Sequence, residues 1–257
     1  MKIRHKIISM ITAIIFLAGM FSVIPLTAVA YGTYGSLTYN TYDSDGDGVY
    51  DYLTIASCAQ PVTEVEIPAE IDGVPVTEIQ QYAFGGCNNL KNVIIPDRVV
   101  KIGKYAFYDC RSLKEITIPE SVASIDNCAF KNCSVLETVL IKNPECEIYD
   151  SADTIFNNLI FDEETGEDFN SINGIIYGYE NSTAQAYAEK YGYNFKLFVQ
   201  GDISKNDLID LYDAIEISKY IMNITDIDED TILLADINRD GVTDLYDAIE
   251  IAKTLLP

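Results

Sequence analysis

The octapeptide DLYDAIEI stands at 210–217 and again at 244–251, and the acidic residues in and before each copy are spaced for oxygen coordination. The second copy closes the stretch DINRDGVTDLYD, in which Asp236, Asn238, Asp240, Asp244 and Asp247 occupy positions 1, 3, 5, 9 and 12. Gly241 at position 6 permits a sharp turn, and Val242 at position 7 offers its backbone carbonyl. Carboxylates, an amide oxygen and a carbonyl at these intervals form a ring that suits a hard divalent cation, and calcium is the expected ion. The first copy closes DISKNDLIDLYD, where Asp202, Ser204, Asn206, Asp210 and Asp213 take the same positions and Leu208 offers the carbonyl. Ser204 is short for a ligand, and Asp207 replaces the glycine, although aspartate tolerates positive φ better than most residues. One ion per loop is expected, with the first site weaker or more distorted.

A helix is expected directly after each loop, with none before it. On these helices Tyr212, Glu216 and Lys219, or Tyr246, Glu250 and Lys253, fall at i, i+4 and i+7 and so share one face. Two such loop–helix repeats at the carboxyl end resemble a type I dockerin over residues 201–257. That resemblance implies docking to a cohesin domain of a scaffoldin, calcium dependence, and membership of a cellulosome, an assembly for polysaccharide breakdown. It further implies that Leu211, Tyr212 and Lys219, with Leu245, Tyr246 and Lys253, contact the cohesin, and that two like faces permit docking in two orientations. The competing expectation is that Leu211 and Leu245 pack the two helices together.

Composition narrows the remaining chemistry. The chain of 257 residues carries 17 basic and 40 acidic side chains, a net charge of −23, which opposes binding to nucleic acid or anionic membranes. Lys2, Arg4 and Lys6 precede an uncharged apolar run over 7–26 and the small-residue ending Ala28-Val29-Ala30, the layout of a secretory signal peptide at 1–30. The run is also long enough to span a membrane, but Pro25 and the Ala-x-Ala ending favour cleavage and an exported protein. The one histidine, His5, would leave with that leader, and tryptophan is absent. Triads built on histidine, and histidine-ligated zinc, are thereby excluded.

The element that must carry this tail is periodic. Between 62 and 159 the sequence repeats every 23 residues, most clearly in KNVIIPDRVVKIGKYAFYDCRSL from Lys91 and KEITIPESVASIDNCAFKNCSVL from Lys114. Within a coil, Ile116 and Ile118 alternate with Glu115 and Thr117, as a strand with one buried face requires. Pro119 ends that strand, and Ala-Phe, Cys and Leu line the returning turn. One coil cannot cover its own apolar edge, so coils stack. The coils resemble BspA-type leucine-rich repeats, a family with many binding tasks. Outward positions on these strands read Glu64, Glu66, Asn92, Ile94, Glu115, Thr117, Thr138 and Leu140, with no aromatic or basic stripe.

The expected architecture is therefore two domains: a leucine-rich-repeat, β-solenoid-like α/β domain over 31–198 with caps at both ends, then a small all-α calcium-binding dockerin over 199–257. A Tyr- and Thr-rich hairpin around SDGDG caps the start. A strand in GIIYGY, a helix begun by Ser182 and stopped by Gly192, and NFKLF cap the end. An acidic loop with DEETGED lies between. Cys87, Cys110 and Cys133 hold one phase and read as a ladder of small buried thiols topped by Cys58, while Cys128 and Cys146 lie outside it. An even count in an exported chain also admits disulfides. DSDGDGVYD at 43–51 imitates a calcium loop but reads as a tight turn, with a further ion as the alternative. The leading functional expectation is a secreted, non-catalytic cellulosome component. The alternatives are an adhesin or recognition protein whose repeats bind a glycan or protein, and a glycoside hydrolase using a carboxylate pair.

Overall fold

The computed structural model describes residues 30–156, 159–161, 168–170, 174–204, 208–227, 229–237 and 242–255. Residues 1–29 of the leader and 162–167 of the DEETGED loop lie outside them. The chain divides into two compact units, one comprising residues up to Ile176 with Asn181–Phe195, the other Tyr177–Glu180 with Lys196–Pro257.

The first unit opens with three antiparallel strands, β1 (Ala30–Tyr34), β2 (Leu37–Tyr42) and β3 (Tyr52–Cys58). The expected hairpin is the β2–β3 pair, with Tyr42 opposite Tyr52 and their rings stacked at 4.9 Å. β1 is an additional strand. β3 then runs parallel to the first repeat, so the hairpin hands its pairing edge to the coils.

Each coil contributes two short strands. β4 (Glu64–Glu66) pairs in parallel with β7 (Asn92–Ile94), and β9 (Glu115–Ile118) with β11 (Thr138–Ile141). On the second row β6 (Val74–Ile79), β8 (Lys101–Ile102), β10 (Ser124–Ile125) and β12 (Glu147–Ile148) follow β3 in order. The first coil is longer than the rest, and the excess forms a small hairpin between β5 (Glu70–Ile71) and β6. Register repeats from coil to coil: Glu78, Lys101, Ser124 and Glu147 align, as do Ile79, Ile102, Ile125 and Ile148. The isoleucine row faces the core, as the period-2 pattern requires.

The returning turn adds a third ladder. Phe84 N–H donates to Ala106 O at 2.7 Å, Phe107 N–H to Ala129 O at 2.8 Å, and Phe130 N–H to Thr154 O at 3.1 Å. The Phe84, Phe107 and Phe130 rings stack at 4.9 and 5.2 Å, nearly parallel and fully buried. Burying each of these rings is worth roughly 1.5–3 kcal/mol. The turn also needs left-handed backbone twice per coil. Gly86, Asp109 and Asn132 supply one set with little strain, while Tyr82, Tyr105 and Cys128 are held at φ 59°, 55° and 56° in the other.

The end cap keeps the expected strand, helix and closing strand, and adds a strand pair where only an acidic loop was expected. β13 (Leu159–Phe161) and β14 (Asp168–Asn170) form a hairpin, and β15 (Ile175–Gly178) adds to β11, with Ile175 N–H donating to Glu137 O at 2.8 Å. Helix α1 (Thr183–Tyr191) starts at Ser182, whose hydroxyl accepts from Gln185 N–H at 3.2 Å, and stops at Gly192 with φ 73°. Gln185 reaches back to Asn181 N–H at 2.7 Å. The helix closes the last coil through Tyr187, whose hydroxyl donates to Ser151 O and accepts from Ile155 N–H. β16 (Asn194–Leu197) leads out.

Among the described residues the second unit holds three helices, α2 (Leu211–Ile221), α3 (Glu229–Ala235) and α4 (Leu245–Thr254). α2 and α4 are the two expected helices, and they pack on each other. α3 corrects the expectation that no helix precedes a loop. Its apolar end buries Leu234 and Ala235 immediately before Asp236, which explains why a helix forms there. Gly201 N–H donates to Leu234 O at 3.0 Å and Gln200 Nε2 to Asp236 O at 2.6 Å, so the starts of the two loops lie side by side.

Candidate calcium and docking site

The two copies of the octapeptide fold alike, because the same carboxylates start the same helix. Asp210 and Asp244 are N-caps in extended backbone, each accepting an amide at 2.7 Å, from Tyr212 and Tyr246. Asp213 and Asp247 complete the capping box by accepting from Asp210 N–H at 2.7 Å and Asp244 N–H at 2.8 Å through one oxygen. The other oxygen reaches the start of the loop: Asp213 accepts from Ser204 N–H at 2.8 Å, and Asp247 from Ile237 N–H at 2.7 Å. The aspartate at position 12 therefore ties loop end to loop start. It meets position 3 in the first loop and position 2 in the second, so the loops are not identical.

Asp202, Asp213 and Asp247 are buried carboxylates. Taking a carboxylate out of water is costly unless hydrogen bonds, a counter-charge or a metal compensates. Amide donors meet Asp213 and Asp247, and the oxygen donors gathered here are of the type that suits a hard cation such as calcium. Ser204 Oγ donates to Asp202 Oδ1 at 3.4 Å, so this short side chain turns toward its neighbouring carboxylate. The Leu208 and Val242 side chains are exposed, which is consistent with the expectation that each offers only its carbonyl. Asn206, Asp207, Asn238, Asp240 and Gly241 lie outside the described residues.

The helix faces agree residue for residue. Ala214 and Ile217 of α2, and Ala248 and Ile251 of α4, are buried. Leu211 is 61 % and Leu245 58 % exposed, which overturns the alternative that these leucines pack the helices together. Tyr212 and Tyr246 are 68 % and 66 % exposed. Lys219 pairs with Glu216 at 2.6 Å, and Lys253 pairs with Glu250. Sequence reasoning missed Ile215 and Ile249, exposed one turn after each leucine, and Met222, a further exposed apolar side chain beyond α2. The i, i+4 spacing from Leu211 and Leu245 is the signal that finds the isoleucines. Each face is thus an apolar Leu-Tyr-Ile patch beside a Glu–Lys pair.

Three features of the first unit bear on binding. Tyr82 and Tyr105 stack at 5.0 Å, Tyr108 meets both edge-on, and Lys104 lies 5.2 Å above the Tyr105 ring. This cluster sits on the returning turn, not on the strands, so a search of strand positions for aromatic residues passes over it. Leu140, expected to face outward, is buried at 1 % exposure. An open groove of about 610 Å³ beside α1 is lined by Lys101, Glu147, Asp150 and Lys190 among others, a mixed-sign lining that selects no ligand class. In the SDGDG turn, Asp43, Asp45 and Asp51 converge within 4.8 Å. Asp43 accepts from Gly46 N–H and Gly48 N–H, and Asp51 from the Ser44 hydroxyl and Ser44 N–H, which hold its carboxyl below the usual range. Those bonds explain the acidic residues as turn-formers.

Comparison with known proteins concerns the first unit. Residues 56–173 match the BspA type leucine rich repeat region, in six copies. Among solved structures, a leucine-rich repeat protein from Bacteroides capillosus is similar at 26 % identity, over 48 % of this chain and 91 % of its own, with a TM-score of 0.43. A leucine-rich repeat protein of T. pallidum is similar at 24 % identity, over 46 % of this chain and 63 % of its own, with a TM-score of 0.37. One from Bacteroides ovatus is similar at 27 % identity, over 46 % of this chain and 31 % of its own, with a TM-score of 0.39. The chain thus spans less than two thirds of the latter two. A search of curated proteins found no match.

Proposed function

We propose that this leucine-rich-repeat protein is a secreted, non-catalytic cellulosome component whose C-terminal unit binds two calcium ions and docks, as a type I dockerin, to a cohesin domain of a scaffoldin. The repeats would serve recognition, holding a glycan or protein partner next to the assembly's polysaccharide-degrading enzymes. One observation carries the docking half: two helices that open with the same seven residues, LYDAIEI, expose the same Leu-Tyr-Ile patch while burying the same Ala and Ile. An exposed apolar and aromatic patch of this kind is a natural anchor for a small interface. Asp202, Asp210 and Asp213, with Asp236, Asp244 and Asp247, would hold the ions together with Ser204, Asn206, Asn238, Asp240 and the carbonyls of Leu208 and Val242. Calcium would supply the positive charge that lets these carboxylates converge. The Tyr82–Tyr105–Tyr108 cluster favours a recognition role for the solenoid over hydrolysis.

A panel of type I cohesins, probed with the full chain in calcium and in EDTA, tests the proposal. Binding in calcium that EDTA abolishes is the expected outcome. Failure to bind any cohesin in calcium would count against it.

A further inference from the structure

Six thiols are free in the described chain, and five of them are buried. In the ladder, Cys110 Sγ donates to Phe84 O at 3.2 Å and Cys133 Sγ to Phe107 O at 3.1 Å, each bonding to the carbonyl of the preceding coil. Cys110 also meets the Cys133 thiol; Cys87 occupies the same phase in the first coil, and its thiol meets that of Cys58. Cys58 ends β3, the last strand of the N-terminal hairpin, and its N–H donates to Ala83 O at 2.8 Å, which fixes it against the coil that carries Cys87. It is also the one cysteine of the six that is only half-buried, with Sγ 3.8 Å from the Ser36 hydroxyl and 3.7 Å from Ala59 O.

We propose that Cys58 and Cys87 are a dithiol that a small disulfide compound oxidises to a Cys58–Cys87 disulfide, a covalent staple between the N-terminal hairpin and the first repeat. The pairing is selective because Cys58 alone combines access with a neighbouring thiol. The hydrogen bond from Cys87 stabilises the Cys58 thiolate and lowers its pKa against the opposing effect of partial burial, so Cys58 is the more readily ionised thiol of the two. Cys87 is pushed far up by that same bond and by burial, and it stays protonated until Cys58 has reacted. In the first step the Cys58 thiolate attacks one sulfur of the external disulfide, forming a mixed disulfide and expelling one thiolate. In the second, Cys87 loses its proton to solvent and attacks the Cys58 sulfur, expelling the second thiolate. Two protein thiols are oxidised and one external disulfide is reduced to two thiols. Cys58 N–H bonded to Ala83 O and Gln60 Nε2 bonded to Gly86 O at 2.7 Å hold the end of the hairpin beside the turn that carries Cys87.

The test treats the reduced full chain with oxidised glutathione, blocks remaining thiols under denaturing conditions, and maps the peptides. The expected result is loss of two of the six thiols, with the Cys58 and Cys87 peptides linked and Cys110, Cys128, Cys133 and Cys146 still alkylated. Cys110→Ala should leave the linkage intact, whereas Cys87→Ala should stop at a Cys58–glutathione adduct. Since Cys87→Ala could weaken the core, the rate of iodoacetamide labelling on the unmodified chain gives an independent reading, with Cys58 labelled first. Linkage of any other pair, an adduct at Cys58 with Cys87 still free, or six unreacted thiols would overturn the proposal.

Discussion

Two aspartates at position 12 show how one residue can serve a helix and a loop together. Asp247 accepts from Asp244 N–H and from Ile237 N–H with no exposure to water, and Asp213 does the equivalent in the first loop. Asp247→Ala strips an acceptor from both amides, at about 1–3 kcal/mol for each one left unsatisfied. Asp244→Ala removes one cap bond, worth about 1 kcal/mol. Thermal unfolding in calcium should therefore place Asp247→Ala below Asp244→Ala, and the reverse order would contradict the shared role. Thiols give a second prediction at this scale. Burial pushes Cys146 from its ordinary 9.0 up to about 12, and burial likewise raises the Tyr187 hydroxyl. Above the ordinary value the unfolded chain loses protons that the folded chain keeps, so solenoid stability falls as pH rises through that window. Denaturant midpoints measured at about pH 8 and about pH 10 should show the fall, which Cys146→Ala should reduce; a flat or rising midpoint would refute it.

Elements were legible to the degree that their signals were local. The 23-residue period, the alternation in EITIP and the Ser182 and Gly192 caps all appear in the sequence because stacking, pleat and helix ends each demand fixed residue types at fixed intervals. α3 was hidden because DEDTILLA is short and its stability comes from burying Leu234 and Ala235 against its own unit. Leu140 was misplaced because alternation names the phase of a strand, not what later covers it. Tyr82 and Tyr105 share a repeat phase, yet their stacking depends on the left-handed turn that presents them. The twin helices yield the prediction proper to this scale. If either face can dock, changing Leu211 and Tyr212 to alanine, or Leu245 and Tyr246, should shift cohesin affinity by only about twofold, the statistical loss of one of two equivalent modes. Changing all four should abolish binding. A single-face variant that already abolishes it would show that only one orientation is used.

At the scale of the whole molecule, the two units are held together internally by different physics. The first is a stack whose backbone ladders and Phe column repeat from coil to coil, so neighbouring coils stabilise one another. The second buries Asp202, Asp213 and Asp247 in a small helical unit, where the proposed calcium ions would offset the converging negative charge. The most direct measurement is amide hydrogen exchange on the full chain, with calcium and with EDTA. Calcium should increase protection in 211–221 and 245–254 together and leave the strands between 64 and 148 unchanged. Equal protection of both helices with and without the ion would contradict the account.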